Sequence, residues 1–231
     1  MKTSEQESIG GANMARRSFL RYAGLGVASA GLLATAACHK DHKVIVSGGG
    51  IDIGAKGDLA ILNYAYALEQ LEAAFYIQVI TTPYSGMTSD EKALFTSIRD
   101  HEVLHREFFK AALGGNAIPA LTVDFSTIDF TKKSAVLGAA KAFEDTGVKA
   151  YDGAGYLIQD PGYLTIAGKI VSVEARHAAL ISNMLVAGSF AADDQVDSNG
   201  LNKSATIAEV LPIANTYLKT KVSATNYSYT A

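Results

Sequence analysis

The pattern that most restricts this chain is written twice. In RDHEVLHREFF, residues 99–109, Glu102 and His105 stand three apart; in VSVEARHAAL, residues 171–180, so do Glu174 and His177. That spacing puts both side chains of a pair on one side of an α-helix. Each pair follows an apolar run with a glutamate inside it, LEQLEAAFY (68–76) before the first and FEDTGVKAY (143–151) before the second. Aligning the runs sets Glu69 over Glu144 and Tyr76 over Tyr151. Glu69 precedes Glu102 by 33 positions and Glu144 precedes Glu174 by 30, a difference that a longer inter-helix turn in the first half absorbs. The repeated unit is therefore a helix pair: one glutamate, then Glu-x-x-His.

The first of these helices is apolar all round. Fifteen of residues 61–80 are apolar, which is the mark of a largely buried helix. Charged side chains are rarely buried unless they are paired or hold a metal. Glu69 and Glu72 both interrupt this run, and the repeat favours Glu69 as the functional one. Four carboxylates and two neutral imidazoles sum to −4, which two divalent cations neutralise, and a dry interior accepts a neutral cluster far better than bare carboxylates. Oxygen and nitrogen donors suit iron or manganese. The single Cys, Cys38, lies far from these motifs, so a thiolate-type zinc or iron–sulfur site is not expected. A carboxylate bridging two ions about 3.5–4 Å apart is the usual form of a paired-metal site.

Between the motifs the chain reads as helices. Residues 39–57 are polar and Gly-rich and read as a tether. A first helix opens at Asp58, a good N-cap residue. A second begins near TSDEKALF, where Thr88, Ser89 or Asp90 can cap it, and ends at Gly114–Gly115. Residues 116–131 lack a helical period and contain Pro119, so they read as a long crossing connection. A third helix runs from about Lys132 to Gln159, and Pro161 suits the first turn of a fourth that continues to about Gly188. Residues 204–220 read as a short fifth helix broken by Pro212, and the C-terminus as loose. The expected organisation is a signal peptide (1–37), a tether (38–57), a bundle (58–190) and a C-terminal extension with a short helix (191–231). This is all-α: a four-helix bundle with one long crossover between helices two and three.

Over roughly residues 58–188 the sequence resembles the ferritin-like di-metal carboxylate superfamily, whose ligand set is one Glu from each of two helices and Glu-x-x-His from the other two. The matching positions are Glu69, Glu102, His105, Glu144, Glu174 and His177. More narrowly, LNYAYALEQLEAAFY, GVKAYDGAG and VEARHAALI resemble the ferritin-like-domain family that includes desiccation-related proteins and many exported bacterial proteins. The resemblance implies a ferritin-like bundle holding two iron or manganese ions. The expected function is redox chemistry with a small-molecule oxidant, oxygen or peroxide, in stress protection, as an oxidase, peroxidase or catalase-like enzyme. The alternative is a non-enzymatic protective or interaction module whose metal is structural or vestigial.

A rival from another class is HEVLH (101–105), which matches the His-Glu-x-x-His helix of zinc proteases. It leaves Glu69, Glu144 and the Glu174/His177 pair without a use. Tyr76 and Tyr151 are open to two readings, as redox-active groups or as core aromatics with a bonded hydroxyl. Arg176 is open to a role beside a ligand carboxylate or on the surface.

The N-terminal ARRSFLRYAGLGVASAGLLATAAC is laid out as a signal peptide. Its Arg16-Arg17-x-Phe-Leu resembles a twin-arginine export signal. Cys38 closes the apolar run as a lipoprotein's acylated Cys does; cleavage after small residues, giving a soluble exported protein, is the other outcome. The expected location is the periplasm or cell envelope, with a lipid anchor at Cys38. The formal charge of −3 argues against a nucleic-acid partner. A membrane tether sits badly with a closed iron-storage shell, though a homo-oligomer is compatible with it.

Overall fold

The fold rests on helix α1, Asp58–Thr81, whose residues from Ala60 to Val79 are almost all buried. The computed structural model describes residues 46–47, 50–54 and 57–227. The remaining helices are α2 (Ser89–Leu113), α3 (Lys133–Ala154), α4 (Pro161–Leu185) and the short α5 (Ile207–Asn215). The chain is an all-α bundle: α1 packs chiefly on α2, α3 chiefly on α4, and the two hairpins meet through α1 and α3.

Local chemistry explains where the helices start. Thr88 caps α2 in a full capping box with Glu91. Asp160 caps α4 by accepting from the Gly162 and Tyr163 N–H groups, with Pro161 in the first turn. Asp58 is used differently from the sequence expectation. Gly57 occupies the N-cap of α1, and the Asp58 carboxylate instead accepts from Gln159 and Asp160 N–H, 2.8 Å each. It pins the start of α1 to the α3–α4 connection. That connection begins earlier than expected, because α3 ends at Ala154 and a 3-10 turn, Gly155–Leu157, brings those amides round. Residues 82–88 link α1 to α2 and residues 155–160 link α3 to α4, so the first turn is longer by one residue. The rest of the spacing difference between the halves comes from α1 running two residues further past its glutamate than α3 does.

The long connection from α2 to α3 crosses the molecule, as read from the sequence. Its backbone is held by the two buried amides of α1, Asn63 and Gln70. Asn63 donates to Ile53 and Asn116 carbonyls and accepts from Ile118 N–H at 2.9 Å. Gln70 accepts from Leu121 N–H at 2.8 Å. These bonds give buried polar groups on α1 their partners.

The ends of the described chain are more ordered than the sequence implies. Within the segment read as a tether, Val46–Ser47 (β1) pairs antiparallel with Gly50–Asp52 (β2), which pairs parallel with Val222–Ser223 (β3). Ile51 and Ile53 are buried, and the Asp52 carboxylate accepts from Ser223 and Thr225 hydroxyls, 3.0 Å each, so the C-terminal stretch is tied down rather than loose. Pro212 lies inside α5 and does not break it; Ala208, whose carbonyl Pro212 cannot serve, is exposed to solvent. The extension docks on α3 through a close approach at Gly153, where any Cβ would fall 1.9 Å from the Ala205 carbonyl oxygen. Among the described residues no helix is long and apolar enough to cross a membrane. Residues 1–37, read from the sequence as a signal peptide, and Cys38 lie outside the described residues.

Candidate metal centre

Helices α1, α2, α3 and α4 each send glutamate into the middle of the bundle. Glu69, Glu102, Glu144 and Glu174 are all 0 % exposed, and His105 and His177 are 5 % and 4 %. The structure brings all six sequence-predicted residues together in two overlapping groups: Glu69, Glu102, His105 and Glu174, and Glu102, Glu144, Glu174 and His177. Within each group one donor atom per residue lies within 4.8 Å of the others. Glu102 and Glu174 belong to both groups, as bridging carboxylates would.

The two halves match in detail. His105 Nδ1 lies 2.8 Å from Glu174 Oε1, 3.5 Å from Glu69 Oε2 and 3.7 Å from Glu102 Oε2. His177 Nδ1 lies 2.8 Å from Glu102 Oε1, 3.5 Å from Glu144 Oε2 and 3.7 Å from Glu174 Oε2. The duplicated pattern of the sequence is thus a near two-fold in space. These approaches are close, yet none of the eight atoms makes a hydrogen bond, although all are buried. Four buried carboxylates facing two imidazoles, with no well-formed hydrogen bond at these eight atoms, need positive charge among them, from protons on the imidazoles or from bound metal. Two divalent cations with carboxylate and imidazole ligands fit that donor set.

The outer oxygens are already taken. The Tyr76 hydroxyl donates to Glu144 Oε1 and the Tyr151 hydroxyl to Glu69 Oε1. Each tyrosine therefore serves the glutamate of the opposite hairpin, a crossing that the sequence alignment does not reveal. It leaves only Oε2 of each glutamate facing inward. Burial, and the carboxylate each one bonds, hold both phenols protonated far above their ordinary range.

A family model described as a ferritin-like domain matches residues 57–187. The chain belongs to the ferritin-like domain family. No curated protein matches it. The matched span covers all four long helices and all six clustered residues of this ferritin-like bundle.

Two polar residues stand beside the cluster without joining it. Glu72 is 3 % exposed and outside both groups, with Oε2 unbonded. It borders a small cavity formed with Leu68, Phe143, Gly147 and Ala214. A methyl group at Gly147 would stand 2.8 Å from Glu72 Oε1. Gly147 is the repeat counterpart of Glu72, so the side chain missing from the second half makes room for the additional carboxyl of the first. Burial, with the four neighbouring carboxylates adding to it, pushes Glu72 well above its ordinary range. The second residue is His101. Neither group includes it, and its Nδ1 lies 2.9 Å from Nε2 of His177, on the side away from the carboxylates. His105 clusters with Glu69, Glu102 and Glu174 and not with His101, whereas the zinc-protease reading requires the two histidines to face one position together. Arg176 lies on the surface and bonds Ser172 on its own helix.

Without metal the cluster holds protons. Burial pushes Glu69 and Glu144 up to about 8, against the opposing pull of His105 and His177. Burial lowers His177, but Glu144 and Glu102 outweigh it and raise the ring to about 12. Glu102 goes the other way: burial raises it, and the two imidazoles together bring it down to about 2.

Substitution on α1 distinguishes a ligand from a bystander. Glu69→Gln removes a donor that faces the cluster, whereas Glu72→Gln changes a carboxyl that belongs to neither donor group. Elemental analysis of metal-loaded protein should find Glu72→Gln close to wild type and Glu69→Gln depleted; the reverse order would make Glu72 the ligand of α1. The protonation of the cluster also dictates a pH dependence. Glu69, Glu144 and His177 all have raised values, so the folded metal-free protein binds more protons than the unfolded chain. Its stability should fall as pH rises from about 4.5 to about 8. Glu102 contributes stability above its ordinary value that is lost only as pH falls toward 2. Metal must displace the cluster's protons, so its binding strengthens over the same rise. The gain in melting temperature on adding manganese should therefore grow between about pH 5 and pH 8. A gain independent of pH would contradict this protonation scheme.

Proposed function

We propose that this ferritin-like protein holds two iron or manganese ions and uses them in redox chemistry with oxygen or peroxide, as part of stress protection. The observation that carries this reading is the set of eight buried, unbonded donor atoms contributed by four helices. Two such ions would supply electron exchange with a small oxidant at a carboxylate-rich centre. The chain's own residues have separable roles. Glu102 and Glu174 would hold both ions, Glu69 with His105 one of them, and Glu144 with His177 the other. Tyr76 and Tyr151 fix the outer oxygens of Glu144 and Glu69 and so set which lone pairs face inward. The apolar packing around the cluster excludes bulk water and strengthens every charge interaction within it. Glu72 stands beside the centre without belonging to either donor group.

Residues 39–231, loaded anaerobically with ferrous iron or manganese, should bind close to two ions per chain and melt at a higher temperature than the metal-free form. The loaded protein should turn over hydrogen peroxide or consume dioxygen. Stoichiometry near zero with both metals would remove the metal centre from the reading. Two bound ions with no turnover would leave the non-enzymatic module with a structural metal.

The proposed location is the cell envelope, with the protein exported by the twin-arginine route and anchored through lipid on Cys38. It rests on the layout of residues 16–38 alone. Wild type should fractionate with membranes, and Cys38→Ser should be soluble or remain uncleaved. Replacing Arg16 and Arg17 together by Lys should block export; normal export of that variant would point to the general secretory route.

A further inference from the structure

The two halves of the centre match closely at the donors, but not behind them. His177 Nε2 lies 2.9 Å from His101 Nδ1, with the two rings nearly parallel (8°) and their centroids 5.1 Å apart. His101 stands one residue before Glu102 on α2; the corresponding residue before Glu174 on α4 is Val173. Valine has no nitrogen or oxygen in its side chain, so the repeat offers His105 no counterpart of this contact. The same two-fold that duplicates the donors therefore leaves one imidazole braced and the other without the equivalent brace.

The chemistry of the contact sets its direction. A ring nitrogen that gives its lone pair to a metal carries no proton, so a neutral His177 facing the cluster through Nδ1 has its proton on Nε2. That N–H donates to Nδ1 of His101, which must accept and so carries its own proton on Nε2. The bond holds His177 in the tautomer that binds metal and fixes the plane of its ring. Losing such an outer partner typically lowers metal affinity about 10- to 100-fold.

We propose that His101 is a positioning residue that makes the two ion positions unequal: the position formed by Glu102, Glu144, Glu174 and His177 fills first and holds its ion more tightly than the one formed with Glu69 and His105. The inference rests on the paired-ion reading above. It means that the half of the centre served by His105 carries the more exchangeable ion.

Manganese(II) titration followed by the free-ion electron paramagnetic resonance signal tests it directly. Wild type should show two binding steps of different affinity. His101→Ala should weaken the tighter step about 10- to 100-fold, leave the weaker step where it was, and still reach two ions at saturation. His101→Asn, whose side-chain oxygen can accept the same proton, should restore most of the loss. His177→Ala should abolish one step altogether. If the Ala variant does not fold, His101→Phe, which keeps a ring but offers no nitrogen, carries the test: weakening of the tighter step alone supports the role, and two steps as in wild type oppose it. Equal affinities in wild type, or a His101→Ala protein in which neither step or both steps move alike, would overturn the inference while leaving the metal centre standing. A wild type that takes up no manganese would overturn the paired-ion reading itself.

Discussion

Four carboxylates with no exposure to solvent, in the middle of a helical bundle, impose the central condition on this protein. Each would cost several kcal/mol as an isolated buried ion, and the four lie close enough to repel one another. The fold meets the condition in layers. Two imidazoles stand among the carboxylates, two phenols bond the outer oxygens, and the remaining lone pairs face a common interior. What is left, eight oxygen and nitrogen atoms without a well-formed hydrogen bond, is a donor set of the kind that suits metal cations.

The rest of the bundle follows from holding that cluster. The tyrosine bonds cross between hairpins, α1 to α3 and back, so the centre ties together the two halves that the repeat generates. Helix α1 is buried on all sides because the crossing connection, α2, α3 and the C-terminal extension cover it. Its polar interruptions have different partners. Glu69 faces the centre, while Asn63 and Gln70 grip the backbone of the crossover. Gly153 and Gly147 show the same use of space, one admitting the chain at Ala205 and the other the carboxyl of Glu72.

Departures from the two-fold are where the protein gains asymmetry. Glu72 faces Gly147, and His101 faces a partner while Val173 takes its place in the other half. Both differences sit just outside the donor set, so they leave the ligand geometry equal while changing what surrounds it. A buried carboxyl and a histidine paired with His177 thus stand on different sides of the same cluster, outside both donor groups.

The fold class, the four long helices, the crossover and the six clustered residues were legible in the sequence, because each depends on short-range periodicity: a three-residue spacing on one helix face and a glutamate trapped in an apolar run. The short strands were not legible. Gly50–Asp52 and Val222–Ser223 are too brief to show a period, and they pair only because the two ends of the domain meet in space. The role of Asp58 was not legible for the same reason, since its partners, Gln159 and Asp160, lie about a hundred positions away. The sequence by itself determined which residues would be carried inward, through the burial of α1 and the repeat. Only the tertiary structure decided who faces whom: Tyr76 with Glu144, Tyr151 with Glu69, His101 with His177. Those pairings depend on the crossing of helices from different halves, which no local pattern encodes.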